Sequence, residues 1–126
     1  VLDDRARGVF QGKIRVAPDA QKTDGQQMTR ALLLSRETEA DTKPELEIFA
    51  DDVVCSHGAT IGEIDEHQLF YLVSRGIPVM QARAMLIEAF LIDTLSKIRV
   101  PKLEKYVEYY IQEWISNSTQ MSALDY

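Results

Sequence analysis

Apolar residues between Val9 and Val54 come in short runs: Val9-Phe10, Ile14 with Val16, Leu32-Leu33-Leu34, Leu46 with Ile48-Phe49, and Val53-Val54. Turn-forming residues divide them at Gly12, Pro18-Asp19, Asp24-Gly25, Lys43-Pro44 and Asp51-Asp52. Leu46, Ile48 and Ala50 alternate with Glu47 and Phe49, the period of two that marks a strand with one buried face. Short strands at such intervals predict a sandwich, a barrel or a β-helix. In a β-helix the open last coil needs a cap, and the segment that follows can supply one.

Beyond Ile64 the period changes to that of helices. Asp65 is placed as an N-cap, with Gln68 three residues on to complete a capping box and Ile64 and Leu69 as a hydrophobic staple. The first helix is predicted over 66–75 and stops at Gly76, which supplies the left-handed position after the C-cap. Pro78 opens a second helix, predicted over 79–98, whose Ala82, Ala84, Met85, Leu86, Ile87, Ala89, Phe90, Leu91, Ile92 and Leu95 leave little of the circumference polar. Such a helix is central in a bundle or faces a partner. Pro101 starts a third, predicted over 102–116, in which Leu103, Tyr106, Val107, Tyr110, Ile111, Trp114 and Ile115 form one stripe opposite Lys102, Lys105, Glu108, Gln112 and Glu113. The polar tail from Asn117 to Tyr126 is expected to fray. Two domains follow, strands over 1–64 and helices over 65–126.

Composition narrows the function. A net charge of -6 argues against a nucleic-acid surface, because Arg5, Arg7, Lys13 and Arg15 do not make a basic stripe. The longest apolar run, Ala84 to Ile92, is broken by Glu88 and falls far below the ~20 residues of a membrane span. The lone Cys55 cannot close an internal disulfide, so a reducing, cytoplasm-like compartment is the simplest expectation. The start at Val1, already patterned like the inside of a folded repeat, reads as a C-terminal fragment of a longer chain.

The segment from Val53 to Phe70 holds the one cysteine and both histidines. Cys55 and His57 are two apart in an extended run, so on a strand both side chains take one face. A thiolate and a neutral imidazole can both ligate iron or zinc, but two ligands are too few for a site, and the rest would come from another chain. A Cys–His nucleophile is the enzymatic version, and it lacks an identifiable orienting acid. A structural cysteine beside a hydrogen-bonded histidine remains open. His67 is placed as a surface residue near a helix start. Residues 57–62, HGATIG, also resemble one turn of the hexapeptide-repeat proteins, left-handed β-helices that include enzymes, but no succession of such turns precedes them.

Segments 1–14 (VLDDRARGVFQGKI), 20–24 (AQKTD), 32–35 (LLLS), 41–48 (DTKPELEI), 51–62 (DDVVCSHGATIG) and 65–77 (DEHQLFYLVSRGI) together resemble the C-terminal part of the SufB/SufD family, over Val1 to about Trp114. The resemblance implies a fold of β plus α class: the C-terminal coils of a right-handed parallel β-helix, then a small three-helix domain. It implies a role in the SUF machinery that assembles iron–sulfur clusters. SufB-like chains carry a cysteine just ahead of the strand that here is Leu32-Leu33-Leu34, and later a Glu-His-Glu-Ala-Thr type motif. Thr29 stands near the first place and Ser56-His57-Gly58-Ala59-Thr60 at the second, and both departures point to the SufD branch.

The resemblance further implies that His57, with Cys55 beside it, lies where the chain meets a SufB-like paralogue and a nascent iron–sulfur cluster is held. It implies that the helical domain docks the ATPase SufC, for which Met85, Phe90 and Leu91 on the second helix are the candidates. The expected protein is a non-catalytic scaffold subunit, with no tightly bound cofactor of its own, no nucleic acid and no membrane as partner, and self-pairing of the isolated fragment as a further option. Its expected location is the cytoplasm, or the stroma of a plastid. The rival is a β-helix enzyme using Cys55 and His57; a third reading is a purely structural pairing module.

Overall fold

The structure, a computed structural model, describes residues 1–95 and 97–122, with side chains of the last helix described as far as Asn117. The chain divides into two compact units, Val1–Glu63 and Ile64–Tyr126.

The first unit contains β1 (Arg7–Val16), β2 (Asp24–Leu33), β3 (Glu39–Ile48) and β4 (Val54–Glu63), each ten residues long. Strands adjacent in sequence do not pair. Instead β1 lies parallel to β3, with Arg7 opposite Glu39, and β2 lies parallel to β4, with Asp24 opposite Val54. The result is two two-stranded parallel sheets. Parallel pairing is the part of the β-helix expectation that is present; the described residues form no closed β-helical coil.

The two sheets meet through their inner rows. The Gln27 Nε2 donates to the Gly12 carbonyl at 3.4 Å, and the point where a Cβ on Gly25 would stand is 3.5 Å from both the Ile14 Cγ2 and the Cys55 Sγ. Val16, Leu32 and Ala50 are the buried apolar residues of this unit, and Thr38 is buried with its hydroxyl donating to the Ser35 carbonyl at 2.6 Å. The turns are tied in the same parallel sense. The Lys22 N–H donates to the Asp52 carbonyl, the Asp52 N–H to the Gln21 Oε1 at 2.8 Å, and Leu2 bridges in parallel to Leu33.

Three of the expected breaks lie inside strands. Gly12 is in β1, Asp24-Gly25 opens β2, and Lys43-Pro44 sits in the middle of β3. Gly12 and Pro44 are register partners, so the ring faces a residue without a side chain. Among the described residues β3 has no second neighbour, and an edge strand tolerates a proline whose missing N–H faces outward. β4 likewise runs through Gly58 and Gly62 to Glu63.

The second unit contains α1 (Glu66–Ser74), α2 (Val79–Leu95) and α3 (Pro101–Ser122). The Asp65 Oδ1 accepts from the N–H groups of His67 at 2.8 Å and Gln68 at 3.2 Å, capping α1 at the expected residue. At the other end Gly76 has φ of 88°. The Ile77 N–H reaches the Leu72 carbonyl and the Gly76 N–H the Val73 carbonyl, the two bonds of a Schellman cap. α2 buries Ala82, Ile87 and Leu95. It ends at Leu95, short of residue 98, and Lys97 and Ile98 bond three residues back, a tightened turn in place of another helical one.

α3 is longer than its apolar stripe. It continues past 116 to Ser122, although the polar tail from Asn117 was expected to fray; residues 123–126 of that tail lie outside the described residues. No glycine or proline follows Ile115 to stop the ladder, and the Ser116 hydroxyl donates to the Gln112 carbonyl four residues back. The stripe marks what a helix packs, not where its backbone ends.

Candidate functional site

β4 carries two rows of side chains, and its register with β2 identifies them. Met28 lies opposite Gly58, and a Cβ there would meet the Met28 Cε at 2.8 Å, so Gly58 belongs to the outer row with Val54, Ser56, Thr60 and Gly62. Cys55 faces Gly25 and belongs to the inner row, which alternation continues through His57, Ala59 and Ile61. Cys55 and His57 therefore share a face, as their spacing predicts, with Cα atoms about 6.6 Å apart along the strand. Cys55 is half-buried and in no disulfide, and His57 is exposed.

His57 lies opposite Gln27, and Ala59 opposite Thr29. The inner surface of this sheet thus carries Gln27, Thr29, Cys55 and His57, a polar patch in a place where strands usually put apolar side chains. The Thr29 Oγ1 is buried without a hydrogen-bond partner among the described residues. Hydropathy does not reveal Gln27 and Thr29, because β2 shows no apolar–polar alternation: Asp24, Gln26, Met28 and Arg30 lie outside, Gly25, Gln27, Thr29 and Ala31 inside. Aligning the chain on itself thirty residues on, the offset of Asp24 and Val54, would have set Gln27 beside His57.

Among the described residues no three His, Cys, Asp or Glu side chains converge in a way that could hold a metal ion. One thiol and one imidazole are both groups able to ligate a soft or borderline metal, and two such groups fall short of a complete coordination sphere. His67 sits elsewhere, lining a cavity of about 400 Å³ with Gln68, Tyr71, Leu72 and Leu86 between α1 and α2.

The outer face of the other sheet is ionic. Arg7 donates to Asp41 at 2.6 Å and Lys13 to Glu47 at 2.6 Å, with Glu39 and Glu45 each at 3.5 Å from the same bases. Hydrogen bonding to Asp41 raises the Arg7 pKa, bonding to Glu47 raises that of Lys13, and the Lys43 ammonium holds the Glu45 carboxyl below its ordinary value. On α2, Met85 is 42% exposed and Ile92 likewise, while Phe90 and Leu91 are half-buried. Phe70 at 72% and Tyr71 at 56% add exposed aromatic surface on α1, and Tyr106, Tyr109 and Tyr110 on α3. No described helix is long and apolar enough to cross a membrane.

Two parallel strand pairs, one of them with a thiol and an imidazole on the same row, followed by three helices, make this a mixed β plus α protein. The chain belongs to the SufBD family: the family described as SUF system FeS cluster assembly, SufBD core domain, matches residues 1–90. It is 50% identical over 107 residues to the iron–sulfur cluster assembly protein SufD of Escherichia coli, covering 85% of this chain and 25% of that one. It is 45% identical over 104 residues to an iron–sulfur cluster assembly SufBD family protein of Synechocystis, covering 82% and 23%, and 34% identical over 112 residues to the SufD of Bacillus subtilis, covering 89% and 26%. The chain spans about a quarter of the length of these relatives.

Proposed function

We propose that this chain is the C-terminal part of a SufD-like scaffold subunit of the SUF iron–sulfur cluster assembly complex. Its strands are the last coils of a right-handed parallel β-helix that pairs with a SufB-like paralogue, and its helical unit recruits the SufC ATPase. It turns over no small molecule. The nascent cluster is its cargo, shared with the SufB-like chain, and the compartment is the cytoplasm or a plastid stroma; one relative is named a chloroplastic protein of Arabidopsis thaliana.

The observation that supports this most is the identity to SufD across both units, together with an exposed imidazole on an inner row beside a thiol. A neutral imidazole at His57 donates one nitrogen lone pair to iron whose other ligands are thiolates of the partner chain. Cys55, half-buried against Gly25, serves mainly in packing. His57→Ala is expected to leave the complex with its SufB-like partner assembled but to reduce its iron and sulfide content sharply, while Cys55→Ser has the smaller effect. Iron and sulfide analysis beside the elution profile decides: normal loading of the His57 variant removes the assignment, and a complex that falls apart makes the histidine a packing residue.

A further inference from the structure

We propose that Gln27 is a positioning residue for His57, a reading that rests on the role given to His57 above. The two are register partners on adjacent parallel strands and lie on the same inner row. Neighbouring strands are about 4.8 Å apart, so two such side chains leave their backbones side by side. The amide of Gln27 is oriented: its Nε2 donates across the sheets to the Gly12 carbonyl at 3.4 Å. With the nitrogen turned to β1, the Oε1 is left as an acceptor on the inner row, and it has no partner among the described residues; neither has either ring nitrogen of His57.

Gly12 is part of the arrangement. A Cβ at that position would stand 2.6 Å from the Gln27 Nε2 and 2.9 Å from the Phe10 ring, so the ends of these two side chains fill the space beside Gly12 and would have to move for a larger residue. A glycine in the middle of a strand weakens it and marks a close approach. A second polar group stands on the same row, two residues on, in the buried and unpartnered Thr29 Oγ1. A strand with only packing to do would fill these places with apolar side chains; a buried polar group without a partner calls for an explanation.

Rotation of the imidazole toward β2 lets one ring N–H donate to the Gln27 Oε1. That bond selects the tautomer, leaves the other nitrogen unprotonated, and points it away from β2, toward the unpaired side of β4. A metal-binding histidine ordinarily has such an acceptor on its second nitrogen, and losing it typically weakens metal binding by about tenfold or more.

The test is the tautomer of the His57 ring in the 15N-labelled protein, its signals assigned by their loss in His57→Ala. At a pH above the ordinary imidazole range, His57 is expected to show one protonated nitrogen, Gln27→Leu to give the mixture of a free imidazole, and Gln27→Glu, which keeps an acceptor oxygen, to restore the preference. A circular dichroism spectrum and an elution profile matching those of the unsubstituted protein report that each variant is folded. A free-imidazole mixture at His57 in the unsubstituted chain, or a tautomer indifferent to Gln27→Leu, overturns the proposal. Iron analysis of the co-expressed complex separates it from the reading beneath: Gln27→Leu should lower iron content about tenfold. A tautomer shift accompanied by normal iron in both the Gln27→Leu and His57→Ala complexes sinks the role of His57 and leaves the pairing of the two residues standing.

Discussion

Lys13 on β1 bonds Glu47 on β3 at 2.6 Å, one step along from Glu45, its partner in the strand register, which it meets at 3.5 Å. Arg7 makes the same diagonal, holding Asp41 more closely than Glu39. The bases of β1 thus bind pairs of carboxylates on β3, two strands that are distant in sequence.

These pairs set a pH window for the strand unit. The Glu45 pKa is lowered in the fold, so its contribution is present above the unfolded carboxylate range and lost as pH falls through the lowered value. The Lys13 pKa is raised, so its contribution is present below the ordinary lysine range and lost as pH rises through the raised value. Both side chains keep about two fifths or more of their surface in water, which screens them. Lys13→Met is expected to lower the thermal midpoint slightly at neutral pH, and not at all in about 1 M salt, where the screening length is ~3 Å. An undiminished effect in high salt would show that the lysine acts through packing.

The two ends of α1 are each set by one residue. Gly76→Ala places a Cβ on a left-handed backbone and should cost about 1 kcal/mol, and Asp65→Ala, which leaves two N–H groups without their acceptor, a similar ~1 kcal/mol. Denaturant titration of the single and double variants checks both. The double variant should show the sum, since the sites share no partner.

Ala82 has no exposed surface and Ile87 little, and both are on α2. Ala82→Leu should destabilise by about 1–3 kcal/mol through overpacking, and Ile87→Ala by about 2–5 kcal/mol through the cavity it leaves. The same change at Met85, which is 42% exposed, should cost clearly less than at Ile87.

Met85 separates stability from docking. On the proposed function, Met85→Glu leaves the midpoint nearly unchanged but lowers co-purification of the SufC ATPase, while recovery of the SufB-like partner stays as it was. Retention of the ATPase after this change combined with Ile92→Glu would place its contact on another surface.

The helical half was readable because its signals are local. Asp65, Gly76 and Pro101 each act within one turn, and all three stand where the sequence puts them. The strands were less so. Gly12 and Pro44 are breakers on intrinsic preference, yet each is tolerated because of the other, a fact about residues thirty-two positions apart. The shared face of Cys55 and His57 follows from the period of two alone. The polar neighbours Gln27 and Thr29 do not, since only the pairing of β2 with β4 brings them there.

That pairing has a consequence in time. A helical bond closes over four residues, whereas the pairing of β1 with β3 waits for a strand about thirty residues later in the chain. At roughly 5–20 residues per second on the ribosome, each of the two pairings waits on the order of 2–6 s for its later strand. Non-local closure of this kind is also slow in the free chain, because the loop entropy is lost before any contact rewards it. Within this segment the strand pairs therefore close later than the helices and stay open to mispairing for longer.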